Sequence, residues 1–145
     1  MINSKRRKRL YKKYNFLYKL FCPIKELRYI CFYCGLPAGT IDHIPPLDAI
    51  EDLKMISNNL TYTKVPSCKE CNNLAGTEPH TDIFIRQKYI KEKIRKKYKK
   101  YIEFSDWEEE EINKLGYLLQ TDIREFMSLK YLVISRLSYC EEETK

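Results

Sequence analysis

The sequence predicts an α+β fold: a small strand-and-helix core with a basic N-terminal arm and a C-terminal α-helical extension. Three observations predict it. Two Cys-x-x-Cys pairs enclose a stretch rich in aromatic and β-branched residues and broken by Gly and Pro. Apolar residues recur at helical spacing from Thr81 onward. Lys and Arg crowd the first twenty positions. The expected organisation is an arm over residues 1–26, a core over 27–80, and a helical extension over 81–145 with a basic helix before acidic ones.

A chain of 145 residues suits one domain with appendages. With 43% hydrophobic and 32% charged residues it can bury a modest core and is not disordered as a whole. No run of apolar residues is long enough to span a membrane. Lys12, Lys13 and Lys19 break any apolar segment after the basic start, which argues against a signal peptide. The expected setting is therefore a reducing cytoplasm, where six cysteines point to metal ligands before disulfides.

Charge is divided unevenly. Residues 1–101 hold 22 Lys and Arg against 9 Asp and Glu, whereas residues 102–145 hold 5 against 11. A basic front attracts polyanions and gains from counterion release, so nucleic acid is the expected partner. The acidic back would repel a phosphate backbone and is expected to pack away from it. Neither a membrane nor a small-molecule substrate is expected.

Lys5-Arg6-Arg7-Lys8-Arg9 reads as a disordered basic tip leading into a short helix with Leu10, Tyr14, Leu17, Tyr18 and Phe21 near helical spacing. A phosphate-gripping arm, a nuclear-import signal and a solvated tail all share this composition. Residues 28–44 read as strand, knuckle turn and strand around Gly35, Pro37 and Gly39. Residues 48–60 form a short helix or loop. Residues 62–67 are extended, since Pro66 forbids a helix interior. A short helix follows Cys68 and ends near Gly76.

From Thr81, a plausible N-cap, Ile83, Ile90, Ile94, Tyr98 and Tyr101 make one apolar stripe. Ser105 followed by Glu108 has the pattern of a capping box. Helical periodicity then runs through Ile112, Leu115, Leu119, Ile123, Phe126, Ile134 and Leu137, as one helix or as two broken near Thr121.

Cys31-x-x-Cys34 and Cys68-x-x-Cys71 are two matched knuckles. Each lets two thiolates approach one ion from a tight turn, and together they make the tetrahedral S4 set that zinc prefers. Four protein ligands close the site, so the zinc is expected to be structural. Redox pairs and buried cysteines are the competing readings. Cys22 and Cys140 stand apart as thiols.

Between the knuckles lies Thr40-Ile41-Asp42-His43-Ile44-Pro45-Pro46. Imidazole takes a proton from water near neutral pH, and a carboxylate is a hard ligand for Mg²⁺ or Mn²⁺. Neighbouring side chains on a strand face opposite ways, so Asp42 and His43 share a site only where the strand ends or bends. Pro45-Pro46 are expected to end it. Asn72, directly after the second knuckle, offers an amide oxygen or a helix cap.

Taken together, Cys31-Phe32-Tyr33-Cys34-Gly35, Asp42-His43-Ile44-Pro45 and Cys68-Lys69-Glu70-Cys71-Asn72 resemble the HNH endonuclease family of the ββα-metal superfamily, in particular small phage-type members with a four-cysteine zinc site. The resemblance spans residues 28–77. It implies a zinc-stapled hairpin followed by a helix, clasping one catalytic Mg²⁺ or Mn²⁺, and hydrolysis of DNA phosphodiester bonds. His43 takes the place of the general base, and Asp42 and Asn72 take the places of catalytic-metal ligands. The family's middle asparagine falls on Thr63 here, and Asn59 is the expected substitute brace for the His43 loop. Arg6, Arg7, Arg9, Lys88, Arg95 and Lys96 are expected to hold the DNA backbone, with Arg86 clamping a phosphate near the site. A non-catalytic, zinc-dependent nucleic-acid-binding protein is the alternative.

Overall fold

The computed structural model describes residues 3–140. Its first element, α1 (Ser4–Tyr14), is capped by the Asn3 side chain, which accepts a hydrogen bond from the Lys5 amide. The basic tip is thus helical. Strand β1 (Lys19–Leu20) follows, then β2 (Thr40–Ile44), helix α2 (Leu47–Asp52), β3 (Thr63–Ser67) and α3 (Lys69–Ala75). The C-terminal part holds α4 (Ile83–Lys97), α5 (Lys99–Ile102), α6 (Glu109–Asn113) and α7 (Tyr117–Ser138). The fold is α+β, with a three-stranded sheet ordered β1-β3-β2.

Strands β2 and β3 are antiparallel, with His43 opposite Lys64 and Asp42 opposite Val65. β1 runs parallel to β3 over only two residues. That shortness accommodates Pro66: it lies beyond the β1 pairing, where its missing N–H costs β3 no partner on that side. The strand expected before the first knuckle is reduced to a single bridge between Ile30 and Pro37, preceded by a 3-10 turn at Lys25–Tyr29.

Two hydrophobic cores form. In the smaller one, Leu10, Tyr14, Tyr18 and Ile50 join α1 to α2. The apolar face of α1 is therefore folded onto the body, and its basic face is partly neutralised there. Arg6 pairs with Asp52 at 2.5 Å, and Arg9 grips Glu51 with two hydrogen bonds of 2.9 Å.

The larger core surrounds the knuckles. Cys31, Tyr33, Cys34, Ile44, Val65, Cys68, Cys71 and Ala75 meet Ile90 and Ile94 of α4 and Val133 and Leu137 of α7. The expected stripe on α4 is present. Its N-cap is Asp82 instead of Thr81, because the Asp82 carboxylate reaches the amides of Phe84 and Ile85. The capping box lies three residues later than expected, with Glu108 as N-cap and Glu111 reaching back to its amide. The last helices are separated at Gly116, before α7, and not near Thr121. Among the described residues no helix is long and apolar enough to cross a membrane.

Candidate functional site

The two knuckles converge. Cys31 and Cys34 come from the turn after the Lys25–Tyr29 segment, while Cys68 caps α3 and Cys71 lies in its first turn. The Cys68 sulfur accepts from the Cys71 amide at 3.4 Å, which folds the second knuckle around its own sulfurs. Gly35 supports the first knuckle by taking φ +78°, a conformation side chains rarely adopt, and the Tyr139 ring lies where a Cβ would go. All four Sγ atoms lie within 4.8 Å of one another and all four residues are buried. Four clustered thiols with no disulfide among them form a donor set that fits a zinc ion. The sulfurs act on one another: hydrogen bonds from Cys31 and Cys71 push the Cys34 thiol far down, while hydrogen bonds within the same cluster push the Cys31 and Cys71 thiols up.

Asp42 and His43 diverge. β2 remains extended through Ile44, so Asp42 faces inward and His43 faces the opposite side of the sheet. The Pro pair ends the strand one residue too late to bring the two side chains together.

Asp42 is 4% exposed. Its Oδ2 accepts from Arg86 Nε at 2.7 Å and from the Tyr33 hydroxyl at 2.5 Å, and its Oδ1 accepts from Arg86 Nη2 at 3.1 Å. Burial and the Asp42 charge push the Tyr33 phenol up, which keeps its proton on the donating side. Arg86 is fully buried, and its Nη1 donates to the Glu78 carbonyl and His80 Nδ1. Arg86 is therefore no phosphate clamp: its guanidinium is enclosed and fully engaged within the protein. Asp42 is its counterion, and a divalent cation added beside that carboxylate would meet a fixed guanidinium. The arrangement does not fit a catalytic ion on Asp42. Asn72 sits on α3 and donates through Nδ2 to Thr40 Oγ1 at 3.0 Å, tying α3 to β2.

On the other face, His43 Nε2 lies 3.1 Å from Asn15 Oδ1. Lys64 Nζ donates to the same oxygen at 3.3 Å. An ammonium can only donate, so the Asn15 atom is the carbonyl oxygen and His43 Nε2 carries the ring proton. The Nδ1 lone pair is then the basic one. Tyr18 presents a T-shaped contact to the imidazole at 4.7 Å and Tyr11 another at 6.0 Å. Burial pushes the His43 pKa down to about 4, with Lys64 acting in the same direction and Asp42 opposing.

Asn59, the expected brace, is exposed in the 57–60 turn, and the amide that holds the imidazole is Asn15. Asn15 and Lys64 are the site residues that motif reasoning missed. Lys64 was legible as the residue before the buried Val65, on the strand face opposite the core. Nothing in the sequence distinguishes Asn15 from a polar residue in the arm.

This geometry makes folding pH-dependent. Because the folded pKa of His43 lies below the ordinary 6.5, the unfolded chain binds more protons between pH 6.5 and 4. The His43 contribution is complete above pH 6.5 and is lost as pH falls through that window. It amounts to at most about 3 kcal/mol, at 1.36 kcal/mol per pH unit. Urea unfolding across this range should show stability falling with acidification, and His43→Gln should flatten the slope. An unchanged slope in the variant would show that His43 titrates as a solvated side chain.

Of the expected DNA-contacting residues, Arg7, Lys88 and Lys96 are exposed. Arg95 is exposed but pairs with Glu92 on its own helix. Arg6 and Arg9 are drawn toward α2 by its acids. Lys5, Lys8, Arg9, Lys12 and Lys13 line a shallow groove along α1, the helix whose Tyr11 touches His43. No family model, no curated protein and no solved structure matches the chain.

Proposed function

We propose that this chain is a zinc-stapled DNA endonuclease that hydrolyses phosphodiester bonds with His43 as general base. The observation that carries the reading is the geometry of His43: an imidazole whose Nε2 proton is committed to Asn15, which leaves the Nδ1 lone pair as its proton acceptor. Lys64 stands beside it with a positive charge for a phosphate oxygen, and α1, whose Tyr11 contacts the ring, carries a basic groove. β2, α2, β3 and α3 follow one another beside the four-sulfur cluster, and it is on the motifs they carry that the HNH reading draws.

In this mechanism Asn15 orients the imidazole and fixes its tautomer. His43 accepts the proton of the attacking water as the new P–O bond forms and the bond to the leaving 3′ oxygen breaks, that oxygen taking its proton from solvent. Lys64 draws the phosphate toward the ring. The Mg²⁺ or Mn²⁺ that the resemblance implies does not fit Asp42 as Arg86 holds it, and no step is drawn through that ion.

Supercoiled and linear DNA incubated with the protein, with and without Mg²⁺ or Mn²⁺, test the reading. Cleavage is expected for the wild-type chain. His43→Ala is expected to reduce it by about 10²–10⁴-fold, the usual worth of a positioned base, while DNA binding and zinc content persist. A His43→Ala protein that cuts at the wild-type rate removes His43 from the chemistry.

One observation favours a second reading, a zinc-dependent nucleic-acid-binding protein without catalysis. The carboxylate expected to hold the reactive ion is enclosed by Arg86 and Tyr33. Tight, salt-sensitive DNA binding without cleavage under any divalent-metal condition would select it.

A further inference from the structure

The residue that completes the sulfur cluster comes from the far end of the chain. Arg136, on the last turns of α7, is 4% exposed and sits among the knuckles. Its Nη2 points at Cys71 Sγ at 3.8 Å. Its Nη1 lies 2.6 Å from Glu70 Oε1, and Glu70 is the residue just before Cys71. The other Glu70 oxygen already accepts from Lys97 Nζ at 2.7 Å and from the Tyr98 hydroxyl at 2.5 Å. The guanidinium is thus wedged between a carboxylate and a sulfur, inside the core, with Val133 and Leu137 of the same helix packed around the cysteines.

An electrostatic requirement explains the wedge. A Zn²⁺ ion on four thiolates leaves two negative charges uncancelled. In a buried, low-dielectric setting that excess is costly unless cations or N–H donors face the sulfurs. Arg136 supplies both. A helix that only needed to cover the knuckles would do so with an apolar side chain, as Val133 and Leu137 do.

We propose that Arg136 is a positioning residue of the metal centre: its guanidinium stabilises the metal-bound thiolates and so couples docking of the C-terminal helix to metal retention. This rests on the reading of the four cysteines as a zinc site. It assigns to α7 a task distinct from covering the core.

The test compares the full-length wild-type, Arg136→Met, Arg136→Lys and Glu70→Gln proteins. Each is titrated with Co²⁺, whose thiolate charge-transfer absorption reports four-sulfur binding. Zinc affinity is then measured by competition with a chromophoric chelator. Arg136→Met is expected to lower zinc affinity by about 10–100-fold, the usual range when a group hydrogen-bonded to a ligand is lost. Arg136→Lys is expected to recover most of that loss, because it restores the charge. Glu70→Gln removes a negative charge beside the cluster, so affinity is expected to stay level or rise.

If the Glu70–Arg136 ion pair merely docked α7, Glu70→Gln would lose zinc as Arg136→Met does, and the proposal falls. It falls also if Arg136→Met holds zinc within twofold of wild type. Should Arg136→Met not fold, Arg136→Lys and Glu70→Gln decide between the same outcomes. A wild-type chain that binds neither Co²⁺ nor Zn²⁺ overturns the zinc reading itself, a result separate from failure of the Arg136 assignment.

Discussion

Cys71→Ser is expected to abolish tight zinc binding and to remove the cooperative unfolding transition of the β2–β3–α3 unit. Cys71 is fully buried, and its sulfur lies within 4.8 Å of the other three. The four cysteines belong to the larger core, where they join the first knuckle to α3. Structural zinc contributes an apparent free energy of about 10–16 kcal/mol in small zinc-binding modules. A domain of this size is stable by only about 5–15 kcal/mol in total. A zinc ion held there would contribute about as much as the whole margin, and loss of one ligand would be decisive. Stripping the wild-type protein with a strong chelator should reproduce the variant, and adding Zn²⁺ back should rescue the stripped wild type but not Cys71→Ser. Hydrogen exchange would show the effect as lost protection in β2, β3 and α3, with α1 and α2 less affected because their core is separate. A chelator-treated protein that melts at the same temperature as the zinc-loaded one would refute this.

Arg86→Leu is the second substitution with a large expected effect. Removing the guanidinium leaves Asp42 as a carboxylate at 4% exposure with, among the described residues, Tyr33 alone to accept from. Breaking a buried ion pair by removing one partner costs about 3–5 kcal/mol, far more than the 0–1 kcal/mol of a surface pair. It also frees the Glu78 carbonyl and His80 from their shared donor. The Asp42→Asn/Arg86→Leu double variant is expected to be more stable than Arg86→Leu alone, because no uncompensated charge remains and Tyr33 can still donate to the amide oxygen. Urea unfolding of the two single variants and the double variant gives the coupling energy directly. A cost below about 1 kcal/mol for Arg86→Leu, the value typical of a solvated side chain, would refute the buried-pair account.

Arg86 also shows what could be read from the sequence and what was misread. Within the basic run of α4 it looks like one charge among many. Its position, however, is one helical turn before Ile90 and two before Ile94, on the same stripe that enters the core. Periodicity placed it inside, whereas charge suggested it was outside, and the buried Asp42 supplied the partner that let periodicity prevail. The cysteine cluster was legible because spacing alone restricts how two knuckles can meet. Helix α4 was legible from its apolar stripe and α3 from its place between Cys68 and Gly76, whereas the start of α7 at Tyr117 was not, because apolar spacing runs on from Ile112 across Gly116. The extended segments that form β2 and β3 were legible, but their pairing was not: the strand expected before the first knuckle is only the Ile30–Pro37 bridge, and β2 pairs with β3 instead.

The His43 environment was not legible, for a physical reason. A strand separates Asp42 from His43 by alternation, and adjacency in sequence says nothing about which distant loop covers each face. Asn15 and Tyr18 reach His43 because β1 joins the sheet, a parallel pairing of two residues that leaves no periodic trace. Likewise, the acidic C-terminal region looked like a segment packed away from the ligand. Its total charge concealed the single arginine that enters the core.

The position of Arg136 has a consequence for how the protein is made. It is separated from Cys71 by 65 residues. At a synthesis rate of about 5–20 residues per second, all four sulfurs have been translated roughly 3–13 s before their guanidinium partner. On the assignment of Arg136 proposed above, a nascent chain would during that interval carry the four sulfurs without the cation that faces them, and metal captured then would be retained less firmly until α7 docks.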